Sequence, residues 1–410
     1  MTNEFRKILP DEAIIPNETR MIRPLSAPFA PPDEAVGDDL NSCRPFVNDS
    51  LNSRLAQPLP VGKWMVRNST PIEPGLRPKH ILHHADRIII QGDGPWQLFD
   101  KQCQSLARGY LHGSDVFLDA ANNLFYFSDA AGMIEARRLD DGSRAFSASL
   151  LFGQAYYRSF IACRGELMVV VSVEREMDMH SEERPESSTV EILKFDEPQN
   201  IDEDGILTSV NVVAELIRKT LLLLSAFQDE TLVVATENQI CLINLDLQIK
   251  TAINGEFTPL VMSLNDAGII YLVVSDKGVP KLRSIKPNGE RIFSAELPEK
   301  MLDVVYPPII TYDHRVFLIK DDYLVAFNAG GHCVWEYQTD NPIAGAVVTA
   351  ENQLLMSDGS ELGVFEANGH YRTLYKFKGE SLQTPPTLTS SGELVVATDK
   401  KLYCLAIRGN

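Results

Sequence analysis

The sequence has no long hydrophobic run. No window approaches about 18 uninterrupted apolar residues, and residues 1–32 carry charges throughout, without the apolar stretch a secretory signal needs. A soluble, cytoplasmic protein is expected. Paired cysteines are also absent: Cys43, Cys103, Cys163, Cys241, Cys333 and Cys404 are widely spaced, with no CxxC and no zinc-type His partner. Neither a disulfide framework nor a zinc module is expected, and the thiols read as reduced and mostly buried. Basic charge is scarce. With 38 Lys and Arg against 56 Asp and Glu, the formal charge of -18 repels a phosphate backbone and an anionic membrane surface, so neither nucleic acid nor lipid headgroups are expected partners. Nucleophile and metalloprotease signatures such as GxSxG and HExxH are missing too.

What remains is a globular chain of 410 residues, 44% apolar and 23% charged, long enough for a substantial core. Half of its 24 prolines fall before residue 80, and residues 1–60 show neither helical nor alternating period. They read as an irregular, proline-rich arm ahead of one domain at 61–410. From about residue 80 the texture changes to short β-branched and aromatic runs, such as 87–90, 124–127, 167–171 and 232–235, each bounded by Asn, Asp or Gly. That is the pattern of closely spaced strands joined by tight turns. Residues 212–225 fit a helix or a buried strand, and the strand patterns on both sides favour strand.

A repeat organises these runs. Residues 324–337 align with 362–375 and with 282–293, and the turn glycines Gly289, Gly331 and Gly369 lie 42 and then 38 residues apart. Pro-flavoured apolar segments at 307–311 and 385–389 open the units. Four short strands per such period make one blade of a β-propeller. The order of strands, with Gly331-His-Cys-Val-Trp335 closing a unit, resembles the repeat of pyrroloquinoline-quinone-type propellers over roughly residues 60–410. The resemblance implies the fold alone, since this repeat occurs in quinone dehydrogenases, in outer-membrane-assembly scaffold propellers and in proteins without a cofactor. The adjacent cysteines and export signal typical of the dehydrogenases are not found here, so no cofactor is expected.

Units fall near 80–112, 114–152, 159–216, 220–255, 258–298, 306–341 and 345–380, with a last one at 384–407 that is one strand short. The missing strand is sought at Gly62–Asn68, which has the glycine and the aromatic of a fourth strand. An all-β, single eight-bladed propeller of four-stranded antiparallel blades, closed by this N-terminal strand, is therefore expected. Seven blades is the alternative if the first unit is not separate.

Candidate sites are few. Residues 174–204 hold 12 acidic and 3 basic side chains, a net of -9, and read either as solvated loops or as a docking surface for a basic partner through Glu182, Glu183 and Glu186. Asn200–Gly205 has oxygen side chains at alternate positions, but Asn211 stands where a calcium loop needs its bidentate Glu, so an ordinary acidic turn is preferred. His80, His83 and His84 would point to opposite sides of a strand and read as structural or surface histidines, so no metal site is expected. The connector 152–159 brings Tyr156, Tyr157 and Arg158 to the expected channel mouth, to stack on a ligand or to pack between blades. Turns carrying Asp93 with Trp96, and Lys320 with Asp321, should open on the same face. A non-catalytic scaffold presenting a rim to a protein or peptide partner is the leading expectation. A channel-sited lyase or hydrolase acting on a small or peptidic metabolite is the alternative.

Overall fold

A computed structural model gives the architecture. It describes residues 13–20 and 58–407, apart from 111–114, 120–122, 129–132, 150–154, 164–166, 175–186, 196–209, 219–223, 229–230, 237–238, 245–247, 302–305, 390–391 and positions 85, 93, 256, 266 and 367; between 155 and 232 the backbone alone is described. Among the described residues, strands form eight antiparallel sheets, seven of four strands and one of five. Sheets 1 to 7 span 80–110, 115–149, 155–218, 224–254, 258–296, 309–338 and 343–376, and in each the strands, called a to d, pair in chain order. The stretch 212–225 contributes strand, not helix: Val210–Arg218 ends sheet 3 and Leu224–Gln228 begins sheet 4.

Sheet 8 is built from both ends of the chain. Its strands a to c are Thr387–Leu388, Leu394–Ala397 and Lys401–Ile407, and strand d is Trp64–Pro71, running antiparallel from Trp64 opposite Ile407 to Pro71 opposite Lys401. After strand d, Ile72 N–H bonds the carbonyl of Lys400 in the b–c turn at 3.1 Å. The same bond recurs where the chain is continuous, from Leu297 to Pro280, Thr339 to Asp322 and Phe377 to Ser360. The N-terminal segment thus holds the position that the fourth strand holds in sheets 5 to 7. Sheet 3 carries a fifth strand: Ala13–Arg20, inside the segment expected to be irregular, pairs with Val210–Arg218.

The a strands adjoin one another in succession, from sheet 8 to 1, 2 and 3, and from sheet 4 to 5, 6 and 7. In sheets 1 and 5 to 8 both faces are therefore buried, which is why their inner strands are continuous apolar runs instead of alternating ones. Side chains along a strand go alternately to one neighbour and the other. In Val316–Lys320, Val316 and Leu318 pack toward sheet 5, while Phe317 and Ile319 pack toward sheet 7. In Leu394–Ala397, Leu394 and Val396 face sheet 7, and Val395 and Ala397 face sheet 1.

The repeat glycines share one c–d turn. Gly289, Gly331 and Gly369 have φ of 87°, 81° and 84°, and each N–H bonds the carbonyl three residues earlier. Strand d then begins with a bulge whose extra residue is Leu106 in sheet 1, Lys250 in sheet 4, Ile292 in sheet 5 and Val334 in sheet 6. A bulge on an outer strand twists its open edge away from straight pairing with another chain.

Candidate functional site

Because the strands alternate in direction, the b–c turns and the connectors between sheets leave from one face of the assembly, and the a–b and c–d turns from the other. On the first face, Lys320 ends a strand paired with Tyr323, and the exposed Asp321 takes a left-handed φ of 52° in the two-residue turn. Its carbonyl accepts the N–H of Ile343 at 2.8 Å, and that of Asp322 accepts the N–H of Thr339 at 2.8 Å, tying the turn to the connector toward sheet 7. The turn between Gln91 and Pro95 is the equivalent b–c turn of sheet 1, on the same face as expected.

Trp96 is not part of an open surface. It is 1% exposed in the strand Pro95–Asp100, its ring 5.6 Å from Phe125 and 5.2 Å from Phe127 of sheet 2, with the Arg137 guanidinium 4.8 Å from its centroid. Gly92 and Gly94 of the turn are buried as well, and the Trp96 ring fills the seam between sheets 1 and 2. Tyr156, Tyr157 and Arg158 also differ from expectation in their element: they lie within the strand Ala155–Cys163 and not in the connector before it. The register slips between Ala155 and Tyr157, leaving Tyr156 as a bulge at the start of strand a; Leu260 and Ala344 occupy the same place in sheets 5 and 7. Asp93, Glu182, Glu183, Glu186 and the acidic turn 200–205 lie outside the described residues.

His80, His83 and His84 sit in strand a of sheet 1, with His83 buried. Cys103, Cys241 and Cys404 are buried and Cys333 is exposed. Among the described residues, no group of three or more His, Cys, Asp or Glu is placed to hold a metal, and no helix is long and apolar enough to cross a membrane.

A cluster that no sequence motif announces lies between sheets 6 and 7. Asp358, the last residue of strand b of sheet 7, meets Glu361 across the turn and Asp340 and Asn341 from the incoming connector. Burial, then the Glu361 carboxylate, push Asp358 up to about 6, against the Asn341 hydrogen bond that favours its ionised form. Its Oδ1 is buried without a partner. Glu361 stays ionised: burial opposes this, but Lys376 at 2.6 Å and the hydroxyls of Thr373 and Tyr371 hold it below the usual range. Tyr337 and Tyr371 stack at 5.5 Å beside it. The cluster runs across the sheet: Asp358 pairs with Ile343 of strand a on one side and Glu361 of strand c on the other, and Tyr371, Thr373 and Lys376 reach in from strand d.

The raised folded value of Asp358 gives a pH prediction with a definite sign. Between about 4 and 6 the native state binds more protons than the unfolded chain, so acidification through this window stabilises, and the charge at pH 7 destabilises. Asp358→Asn should raise the urea midpoint at pH 7.5. It should also remove part of the gain that wild type makes between pH 7.5 and 5.5. Parallel pH profiles for the two proteins would contradict this placement of the carboxyl.

The outer circumference carries large exposed apolar side chains: Met65, Leu106, Tyr110, Ile292 and Val334 all stand on d strands, with Tyr110 58% and Val334 48% exposed. Three of these are at or beside the recurrent bulge. Sequence alone does not distinguish them from inward residues, because the bulge shifts the alternation by one.

No protein-family profile matches the sequence, and no curated protein matches it significantly. Solved structures do. BamB from Moraxella catarrhalis superposes with a TM-score of 0.58 at 13% identity, covering 85% of this chain and 98% of that one. Sqt1 of Saccharomyces cerevisiae gives 0.57 at 11% identity over 84% and 100%, and the Dos1 propeller 0.58 at 10% over 86% and 96%. At such identities the likeness concerns the backbone alone, and with the adjoining antiparallel four-stranded sheets it gives the chain the β-propeller fold.

Proposed function

We propose that this chain is a non-catalytic, eight-bladed propeller of the pyrroloquinoline-quinone-type repeat class, its ring closed by the strand Trp64–Pro71, and that it binds a protein or peptide partner on its rim. The acidic segment 174–204, with its net charge of -9, carries the reading as a surface for a basic partner, while the apolar side chains exposed on the d strands stand singly and add only local contact area. Sheet 1 has four strands of its own, which favours eight blades over seven. The repeat domain is read as beginning near residue 61, with the preceding segment contributing the strand Ala13–Arg20 to sheet 3.

The charge of -18, half of it within residues 174–204, makes a basic partner the best match and speaks against nucleic acid or an anionic membrane. The reading is of a soluble cytoplasmic protein that uses no cofactor. Replacing Glu182, Glu183 and Glu186 by Gln removes three charges from the acidic segment, so the partner captured from native lysate at low salt should fall away. Wild type should lose it at 0.5 M salt, because exposed charges are screened over roughly 8 Å already at physiological ionic strength. An unchanged set of bound proteins for both chains at both salt concentrations would remove these glutamates from the interface and leave Tyr156, Tyr157, Arg158, Lys320 and Asp321 as the surface to vary next.

A further inference from the structure

The seam between sheets 8 and 1 differs from the seams between sheets 5 and 6 and between sheets 6 and 7 in three linked positions. Where sheet 6 meets sheet 7, Trp335 of strand d lies against the turn glycine Gly369, and where sheet 5 meets sheet 6, Phe293 lies against Gly331. The residue paired with each ring across the sheet is small, Ala326 and Ser284. In the register of sheet 8 the ring position is Asn68, its partner is Cys404, and the turn position in sheet 1 is Cys103. An aromatic ring, a small residue and a glycine have thus been replaced together by an amide and two thiols.

Cys103 also keeps the left-handed backbone of the glycines it replaces, with φ of 59°, a conformation that non-glycine side chains seldom adopt. Both thiols are sealed in one apolar cluster with Ile72, Ile88, Phe99, Val395 and Leu402, Cys103 at 0% and Cys404 at 1% exposure. They share a hydrogen bond, and Cys404 has Glu393, itself held by Arg67 of the N-terminal strand, as its other polar neighbour.

We propose that Cys103 and Cys404 form a disulfide under oxidising conditions, a covalent staple across the seam where the two ends of the chain meet. The inference needs the packing of sheet 8 on sheet 1 and is independent of the partner and of the blade count. With hydrogen peroxide as oxidant, one thiol loses its proton and its sulfur attacks a peroxide oxygen. The O–O bond breaks to give a sulfenic acid and water. The second sulfur then displaces the sulfenic oxygen as a second water, so two thiols are oxidised to one S–S bond while the peroxide is reduced. The Cys103 hydrogen bond, burial and Glu393 all hold the Cys404 thiol protonated, so formation should be slow at neutral pH and faster in base.

The test uses the full chain, reduced and then exposed to hydrogen peroxide, blocked with N-ethylmaleimide and digested for mass spectrometry, with urea unfolding measured in parallel without reductant. The expected product is a peptide pair joining residues 103 and 404, accompanied by an upward shift of the urea midpoint that dithiothreitol reverses. Cys103→Gly restores the residue of the sister turns, so it should fold with a reduced midpoint at or above that of wild type and show no shift on oxidation. The exposed Cys333 reports that oxidant was delivered. Oxidised Cys333 with Cys103 and Cys404 still fully alkylated, linkage of either to another cysteine, or a linked chain with an unchanged or lower midpoint would each overturn the proposal.

Discussion

A chain beginning at Arg77 is expected not to fold cooperatively. The deletion removes Trp64, Ile72 and Leu76, all buried, the first in the layer between sheets 7 and 8 and the other two in the layer between sheets 8 and 1. At about 1.5–3 kcal/mol for each large apolar side chain, their burial alone is comparable to the total stability of roughly 5–15 kcal/mol that folded domains possess. The ladder of strand d against Lys401–Ile407, the bond from Ile72 to Lys400 and the ion pair of Arg67 with the mostly buried Glu393 are lost as well. Loss of strand d also leaves Lys401–Ile407 as an open edge whose residues 402–405 are all buried in the intact protein, which invites aggregation. Thermal and urea unfolding of the shortened chain check this, and a transition matching that of the full chain would refute it.

Gly369→Val is expected to cost about 3–5 kcal/mol, the largest effect of any single substitution considered. Two causes add. The backbone φ of 84° is a genuine outlier for a β-branched residue, and a Cβ there would stand 2.9 Å from Cδ1 of Trp335. That ring has no room to yield, since it stacks on Phe365 at 5.0 Å and meets Phe317 at 5.6 Å. Gly379 separates the two causes: its φ of 69° is equally left-handed, but no atom lies within 4 Å of a built Cβ. Gly379→Val should therefore show the backbone cost alone, on the order of 1–2 kcal/mol. Equal losses for the two variants in urea unfolding would mean that Trp335 is not confined against Gly369.

The architecture was legible in the sequence because the feature that builds it is local and repeated. The described c–d turns of sheets 1, 2, 5, 6 and 7 each hold a left-handed residue, so Gly289, Gly331 and Gly369 recur at blade spacing, and inner strands buried on both faces leave unbroken apolar runs. Gly62 and Trp64 marked the segment that pairs with Lys401–Ile407, although its register places Asn68, not Trp64, where Trp335 stands in sheet 6. The functional surface was far less legible. Trp96, next to a Gly-Asp-Gly turn, looked like a surface aromatic, yet the seam with sheet 2 claims its ring. The environment of Asp358 is assembled from a turn of one sheet and the connector from another, and Cys103 and Cys404 are 301 positions apart with no spacing rule to join them. Bulges such as those at Leu106, Ile292 and Val334 change which way a side chain faces without changing which residues are present.

Hydrogen exchange of the intact chain tests the ring closure most directly. If Trp64–Pro71 is the fourth strand of the last blade, the amides of that strand that donate into the ladder with Lys401–Ile407 should exchange together with those of Leu394–Ala397, through global unfolding and with the same dependence on denaturant. Exchange of residues 64–71 on the timescale of an unprotected peptide, while 394–397 and 401–407 stay protected, would contradict the closure and with it the eight-bladed ring.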